Sequence, residues 1–228
     1  AALWEEYKKS VKGKFRAGDY YTENAKIRVR GVSPNHWAAV KKSWQVNLPK
    51  ETPYGARETM RFFLPEDKGW IFGAMNAVRA KELGLLSPEI SHVRLRINNV
   101  DMGVYYLIEG WEESMLEHNG RGLGPLFSNL NLDIRDVDLF RPDSLHIWQN
   151  RFATETPQAS MDTLAYFLDL VANAPNEVLE KEIPYIIDMD MYYRWLVITA
   201  LSGNFHQGNV ANQNWYFNPA TGKLEPVL

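Results

Sequence analysis

The stretch richest in groups that ligate ions or handle protons lies near the end of the chain. It runs Gly203-Asn204-Phe205-His206-Gln207-Gly208-Asn209-Val210-Ala211-Asn212-Gln213-Asn214 and leads into Trp215-Tyr216-Phe217. It follows the strongly apolar helical run Tyr192 to Leu201 and breaks it with Ser202-Gly203-Asn204. Asn and Gly accept positive φ, so a segment this rich in both is expected to be a tightly turned loop. Imidazole and amide side chains ligate metal ions and orient phosphate oxygens, which makes such a loop after a buried helix a candidate site. The plain alternative is a set of asparagines that only build turns. No Asp or Glu occurs between Met191 and Lys223, so chemistry here rests on neutral donors.

Charge is divided along the chain. Residues 1–60 hold twelve Lys+Arg against six Asp+Glu, a balance of +6, and residues 101–190 hold five against seventeen, a balance of −12, within a net charge of −3. A basic part followed by an acidic part suits a cleft that takes an anion on one wall. With no overall basic excess and no recognised motif, a nucleic-acid binder is disfavoured. Eight Trp, eleven Tyr and ten Phe in 228 residues supply a core, and the absence of cysteine excludes disulfides and thiolate metal sites. No apolar run is long enough to span a membrane, and the first residues lack the pattern of a signal peptide.

The elements that must carry these groups follow from period. Residues 3–18 read as a short basic amphipathic helix. Ala25 to Gly31 and Lys41 to Leu48 alternate apolar and polar residues, the mark of two paired strands joined by a loop at Pro34-Asn35. Alternation places Lys42 on the Trp44 face and Lys41 on the opposite one. Residues 66–84 read as a helix capped by Gly84. His92 to Ile97 and Val104 to Ile108 form a hairpin turning over residues 98–103. An acidic, more helical region begins at Glu109, residues 129–158 are loop-rich, and helices are expected over 160–173, 176–182 and 188–201. Asp188 and Asp190 sit where an N-cap and a first-turn acid belong. The expectation is an α+β protein of two lobes, a small basic antiparallel sheet with one helix over 1–109 and a mostly helical part over 110–228.

That order of elements is the order of a protein kinase, yet there is no Gly-x-Gly-x-x-Gly loop, no His-Arg-Asp and no Asp-Phe-Gly. Short motifs of another kind are spaced along the chain. They are Arg30-Gly31 with Lys41-Lys42-Ser43-Trp44, then Glu82-Leu83-Gly84-Leu85-Leu86-Ser87-Pro88, then Val93-Arg94-Leu95-Arg96-Ile97-Asn98. Gly103-Val104-Tyr105-Tyr106-Leu107-Ile108-Glu109 follows, and then Gly203-Asn204, Asn212, Tyr216 and Thr221-Gly222-Lys223. Together these residues resemble the CotH kinase family, spore-coat and envelope proteins with an atypical kinase fold.

The resemblance implies an ATP-dependent kinase, using Mg²⁺ or Mn²⁺, that phosphorylates Ser or Thr of an exported or envelope protein. It implies Arg30 and either Lys41 or Lys42 on the nucleotide phosphates, with the family pattern favouring Lys41. It places Glu109 to Trp111 near adenine, where a strand end is the alternative, and Asn212 on the metal. His206 stands where the family carries an acidic base; it either orients the acceptor hydroxyl or is a hydrogen-bonding scaffold. The family pairs the clamp lysine with a helix acid, but the aligned position is Gly73, and Glu82 lies near the helix end. The resemblance also leads one to expect a metal-binding acidic segment beyond Leu228. Two other readings stand beside this one. A non-catalytic envelope or adhesion module on the same fold is favoured by His206, and a glycan hydrolase would need two separated carboxylates, for which Asp188 and Asp190 sit too close.

Overall fold

The computed structural model describes residues 9–31, 34–129, 139–152, 155–203 and 213–228. They form an α+β protein with two antiparallel sheets and five helices among the described residues. The chain divides into two compact units, one of residues 1–77 and 88–115, the other of residues 78–87 and 116–228.

The first unit is a six-stranded sheet. Its strands are β1 (Val11–Ala17), β2 (Tyr20–Val29), β3 (Trp44–Asn47), β4 (Thr59–Phe63), β5 (Ile90–Ile97) and β6 (Val100–Glu109). They lie in the order β1-β2-β3-β4-β6-β5, every neighbouring pair antiparallel. The expected helix over 3–18 is corrected across its described part. Lys12, Lys14 and Arg16 are exposed and alternate with half-buried Gly13, Phe15 and Ala17, a period of two that suits a strand, and Gly18 at φ 57° turns the chain into β2. The expected strand over Lys41 to Leu48 is shorter as well. β3 starts at Trp44, so Lys41 and Lys42 belong to the approach to the strand and its alternation does not orient them.

The hairpin between β5 and β6 is tighter than expected. Asn98 and Asn99 alone make the turn, both with positive φ (49° and 65°), the conformation that matches the twist of paired strands. Residues 100–103 are already strand, with a register shift between Leu95 and Arg96 that accommodates Met102. Val46, Met60, Phe62, Tyr105 and Leu107 pack on one face of the sheet. The helix expected over 66–84 is two pieces: a 3-10 turn at Pro65–Lys68, then α1 (Phe72–Glu82). Between them Gly69 and Trp70 both take positive φ, which no helix tolerates.

The second unit holds a four-stranded sheet, β7 (Leu126–Asn129), β8 (Trp148–Asn150), β9 (Asn214–Asn218) and β10 (Lys223–Pro226), in the order β10-β9-β7-β8. Packed with it are α3 (Gln158–Asn173), α4 (Asn176–Ile186) and α5 (Met189–Leu201), and α2 (Glu113–His118) begins in the first unit and ends in the second. Trp215 of β9 anchors the core, with its ring 5.4 Å from that of Phe167 and stacked on Tyr192 at 6.3 Å. Gly84 ends α1 as expected: at φ 68° it lets Leu85 N donate to Ala80 O (2.8 Å) and its own N donate to Lys81 O (3.0 Å).

Asp188 caps α5, its carboxylate accepting from Met191 N at 3.1 Å. Asp190 pairs with Arg194 one turn on, at 2.6 Å. Both carboxylates thus have local helical duties, and neither forms the separated pair that glycoside hydrolysis requires. Asp188→Ala is expected to cost about 1 kcal/mol of stability, read as a lower urea midpoint with an unchanged slope. α5 was expected to be buried; Trp195 and Ile198 are, but Tyr193, Val197 and Leu201 on the other side are more than half exposed. Among the described residues no helix is long and apolar enough to cross a membrane.

Candidate functional site

The first unit carries the basic residues singled out in the sequence, with Arg30 and Lys41 on rings that the strand register puts on opposite faces of the sheet, and it treats the two lysines differently. Lys41 Nζ donates to Val104 O at 3.0 Å, stands 3.4 Å from Glu66 Oε1 and lies 4.9 Å above the centre of the Tyr105 ring. Its side chain keeps 31% of its exposure, enough for a ligand oxygen to reach the ammonium. Lys42 Nζ folds back onto the loop that precedes it, donating to Trp37 O and Ala39 O at 2.7 Å each. A lysine that binds two loop carbonyls is engaged in holding backbone. Of the pair, Lys41 is the one presented on the sheet.

Tyr105 is fully buried beneath Lys41. Burial pushes its phenol above the ordinary range, the neighbouring Trp44 side chain pulls it down, and the Glu66 carboxylate pushes it up again. Tyr105 Oη and Trp44 Nε1 are both buried without a hydrogen bond of ordinary geometry. The lysine therefore sits on an aromatic floor with one carboxylate at its side, held by a cation–π contact and an ion pair. Arg30, at the end of β2, places its guanidinium 4.3 Å over the ring of Phe63.

Glu66 is the acid that stands beside Lys41, where the sequence named no partner because the aligned position is Gly73 and Glu82 is ill-placed near the helix end. It escaped notice because Pro65-Glu66-Asp67-Lys68 looks like the opening of the helix, when it is a separate turn ahead of it. The readable signal was a proline followed by two acids, the pattern of a first turn. Those two acids diverge: Glu66 faces Lys41, and Asp67 Oδ2 lies 3.5 Å from His36 Nε2.

Glu109 ends β6 with its side chain 2% exposed. Its carboxylate accepts from Glu89 N (3.1 Å) and Ser114 Oγ (3.4 Å), and its own backbone N donates to Glu89 O (2.9 Å). These bonds fasten the start of β5 and the start of α2 to the end of β6, the strand-end role weighed above. Trp111 is half-buried two residues on. His206 and Asn212 lie outside the described residues, and so does the loop from Asn204 to Asn212. The described residues that follow it, Gln213 and Asn214, are buried at the start of β9.

Lys41, partly exposed over Tyr105, fits a phosphate oxygen. An ammonium and a guanidinium, each braced by an aromatic ring, suit phosphate oxygens better than any neutral ligand. For a metal, the described residues contain no cluster of three or more His, Cys, Asp or Glu. Asn212, which the resemblance assigns to metal, lies outside the described residues.

Comparison with known proteins agrees with the motifs. The family model described as CotH kinase protein matches residues 27–228, the greater part of the chain. Inner spore coat protein H of Bacillus subtilis (strain 168) is 24% identical over 194 residues, an alignment that covers 82% of this chain and 52% of that protein. The chain thus spans about half the length of the curated relative it matches. On the extent of the family match, the chain belongs to the CotH kinase protein family.

Proposed function

We propose that the chain is an atypical protein kinase domain whose two units are the two lobes of a kinase-like fold, and that it binds ATP with Mg²⁺ or Mn²⁺. The observation that carries this reading is the Lys41–Glu66 pair over Tyr105: a half-exposed lysine, charged, oriented by a carboxylate and fixed to a strand of the sheet. Phosphoryl transfer asks of a protein mainly position and positive charge around the transferred group. Lys41 supplies that charge to the phosphates, Lys42 shapes the loop that leads to it, and Arg30 is the second cation that the family resemblance assigns to them. ATP with its divalent cation supplies the phosphoryl group, and Asn212 is the proposed amide ligand of the cation. His206 orients or deprotonates the Ser or Thr hydroxyl of a protein acceptor, and the segment Glu109 to Trp111 lies near adenine. The acceptor is a coat or envelope protein, by likeness to the spore-coat relative.

The test is a thermal shift of the protein with ATP, with and without Mg²⁺ or Mn²⁺. A metal-dependent rise in Tm is expected. Lys41→Ala should weaken apparent ATP affinity by about tenfold or more, the size of a lost charge-assisted hydrogen bond. Lys42→Ala should instead lower Tm of the free protein and leave a smaller effect on ATP. No shift at millimolar ATP with a folded protein would overturn the kinase reading. That result would favour a binding module, for which the lack of any acid from Met191 to Lys223 and the exposed apolar side of α5 speak.

A further inference from the structure

The loop that joins β2 to β3 carries Lys41 and Lys42 at its far end, and one side chain inside it makes contacts in four directions. The side chain of His36 packs against Gly31. A Cβ on that glycine would come 2.2 Å from His36 Cγ and 2.4 Å from Cδ2, and Gly31 has φ 103°, so the residue is a seat for the ring as well as a turn. His36 Nδ1 is 3.1 Å from Ser43 Oγ. Ser43 N donates to His36 O (2.8 Å), and Arg30 N donates to Ser43 O (2.9 Å), so main chain and side chain close the loop at the same place. His36 Nε2 faces Asp67 Oδ2 at 3.5 Å, with both side chains about five-sixths buried (15% and 16% exposed). The ring edge also meets Phe63, 6.0 Å between centroids, the same ring on which Arg30 rests.

A Ser-His-Asp set invites a reading as a nucleophile and its base, but the environment forbids it. Ser43 is fully buried, so no substrate reaches Oγ, and a hydrolytic serine must be open to its acyl group. A metal is no better served, since the described residues offer no third ligand beside His36 and Asp67. What remains is position. The Ser43 hydroxyl can donate to a neutral Nδ1 or accept from a protonated one, so the ring bridges Ser43 and Asp67 in either charge state. The consecutive acids of the 3-10 turn are thereby divided, Asp67 to the middle of the loop through His36 and Glu66 to its end through Lys41.

We propose that His36 is a positioning residue for nucleotide binding: bridging Ser43 and Asp67 on the seat of Gly31, it holds the loop so that Lys41 meets its ligand already aligned over Tyr105. The inference rests on the reading of Lys41 as a phosphate ligand. A lysine on a loosened loop must first be ordered by its ligand, and that ordering subtracts from affinity.

The experiment compares wild type, His36→Ala, Lys41→Ala and the double variant by calorimetric titration with ATP and Mn²⁺. Beside it, ligand-free protein is digested with trypsin and cleavage after Lys41 and Lys42 is timed. His36→Ala is expected to weaken ATP by about tenfold and to speed cleavage at both lysines. The double variant is expected to bind no more weakly than Lys41→Ala alone, because His36 acts through Lys41. Asp67→Asn, a near-isosteric change, should give a smaller loss in the same direction and serves if His36→Ala fails to fold. If Lys41→Ala loses ATP while His36→Ala and Asp67→Asn keep wild-type affinity, or if cleavage at the lysines is unchanged, the positioning role is overturned and the kinase reading stands. If Lys41→Ala binds ATP as wild type does, the phosphate-ligand reading falls and this inference with it.

Discussion

Replacing Arg121 with methionine is expected to cost about 3–5 kcal/mol, the largest loss foreseen for any single change in the second unit. Arg121 Nε donates to Glu225 Oε2 at 2.8 Å, and the two side chains are 18% and 5% exposed. The other Glu225 oxygen accepts from Asn218 Nδ2 at 2.6 Å. The guanidinium also donates to Gly84 O (3.1 Å) and Asn119 O (3.4 Å), so one cation joins the end of α1, the loop after α2 and the last strand. Methionine keeps much of the volume but leaves a carboxylate buried beside a single amide. The loss comes from that stranded charge more than from the intrinsic worth of the pair, since burying two ions already costs several kcal/mol each. Two results check the account. Hydrogen exchange of the β9 and β10 amides should accelerate in Arg121→Met to match the loss, and adding Glu225→Gln should recover at least about half of it. Exchange within about 1 kcal/mol of wild type in the single variant would contradict the account.

The second large effect concerns alkaline stability and Tyr216. This phenol is fully buried on β9 and donates to Gly122 O at 2.7 Å. Burial, then the Glu225 carboxylate, push its pKa up to about 12, with Arg121 opposing. A raised pKa in the folded state means that between about pH 10 and 12 the unfolded chain releases a proton that the native chain holds. The stabilisation is complete below the unfolded value near 10 and is lost as pH climbs through the folded value. A shift of this size corresponds to at most about 2.7 kcal/mol, and about 1–2 kcal/mol is expected once partial solvation is allowed for. In Tyr216→Phe the Gly122 carbonyl loses its donor, so the variant starts about 1 kcal/mol lower at neutral pH. Its urea midpoint should then fall less than that of wild type from pH 10 to 12, and the two curves should converge. Parallel curves over that range would show that Tyr216 does not titrate as described.

Both effects join residues that no local pattern connects, and this separates what could be read in the chain from what could not. Period and turn chemistry carried the sheet of the first unit. Ala25 to Gly31 pairs with the Trp44 strand, Asn98-Asn99 turns a hairpin, Gly84 ends a helix and Asp188 begins one, because each depends on neighbours within a few residues. The same local reasoning failed at residues 11–17 and 65–71. There a short basic strand and a turn with two positive-φ residues look helical until the partner strand, and the Tyr106 hydroxyl that donates to Trp70 O, are present. The family, too, was legible, since spaced short motifs from Arg30 to Lys223 survive without any coordinate.

The candidate site was legible only as a set of residue types. Alternation set Lys41 against Lys42 but could not choose between them, because neither lies in a strand. Folding chose, by giving Lys42 the carbonyls of its own loop and Lys41 the floor of Tyr105, more than sixty residues away. Glu66, Asp67 and His36 entered the site for the same reason. An ion pair or a buried imidazole is defined by distance in space, and sequence encodes such distances only through the long-range strand pairing that sets them. The amino acids by themselves thus determined which charges were available and which family they serve. The tertiary structure decided which of them meet, because charge, burial and hydrogen bonding act over a few ångströms and the chain brings those ångströms together only when the whole sheet has formed.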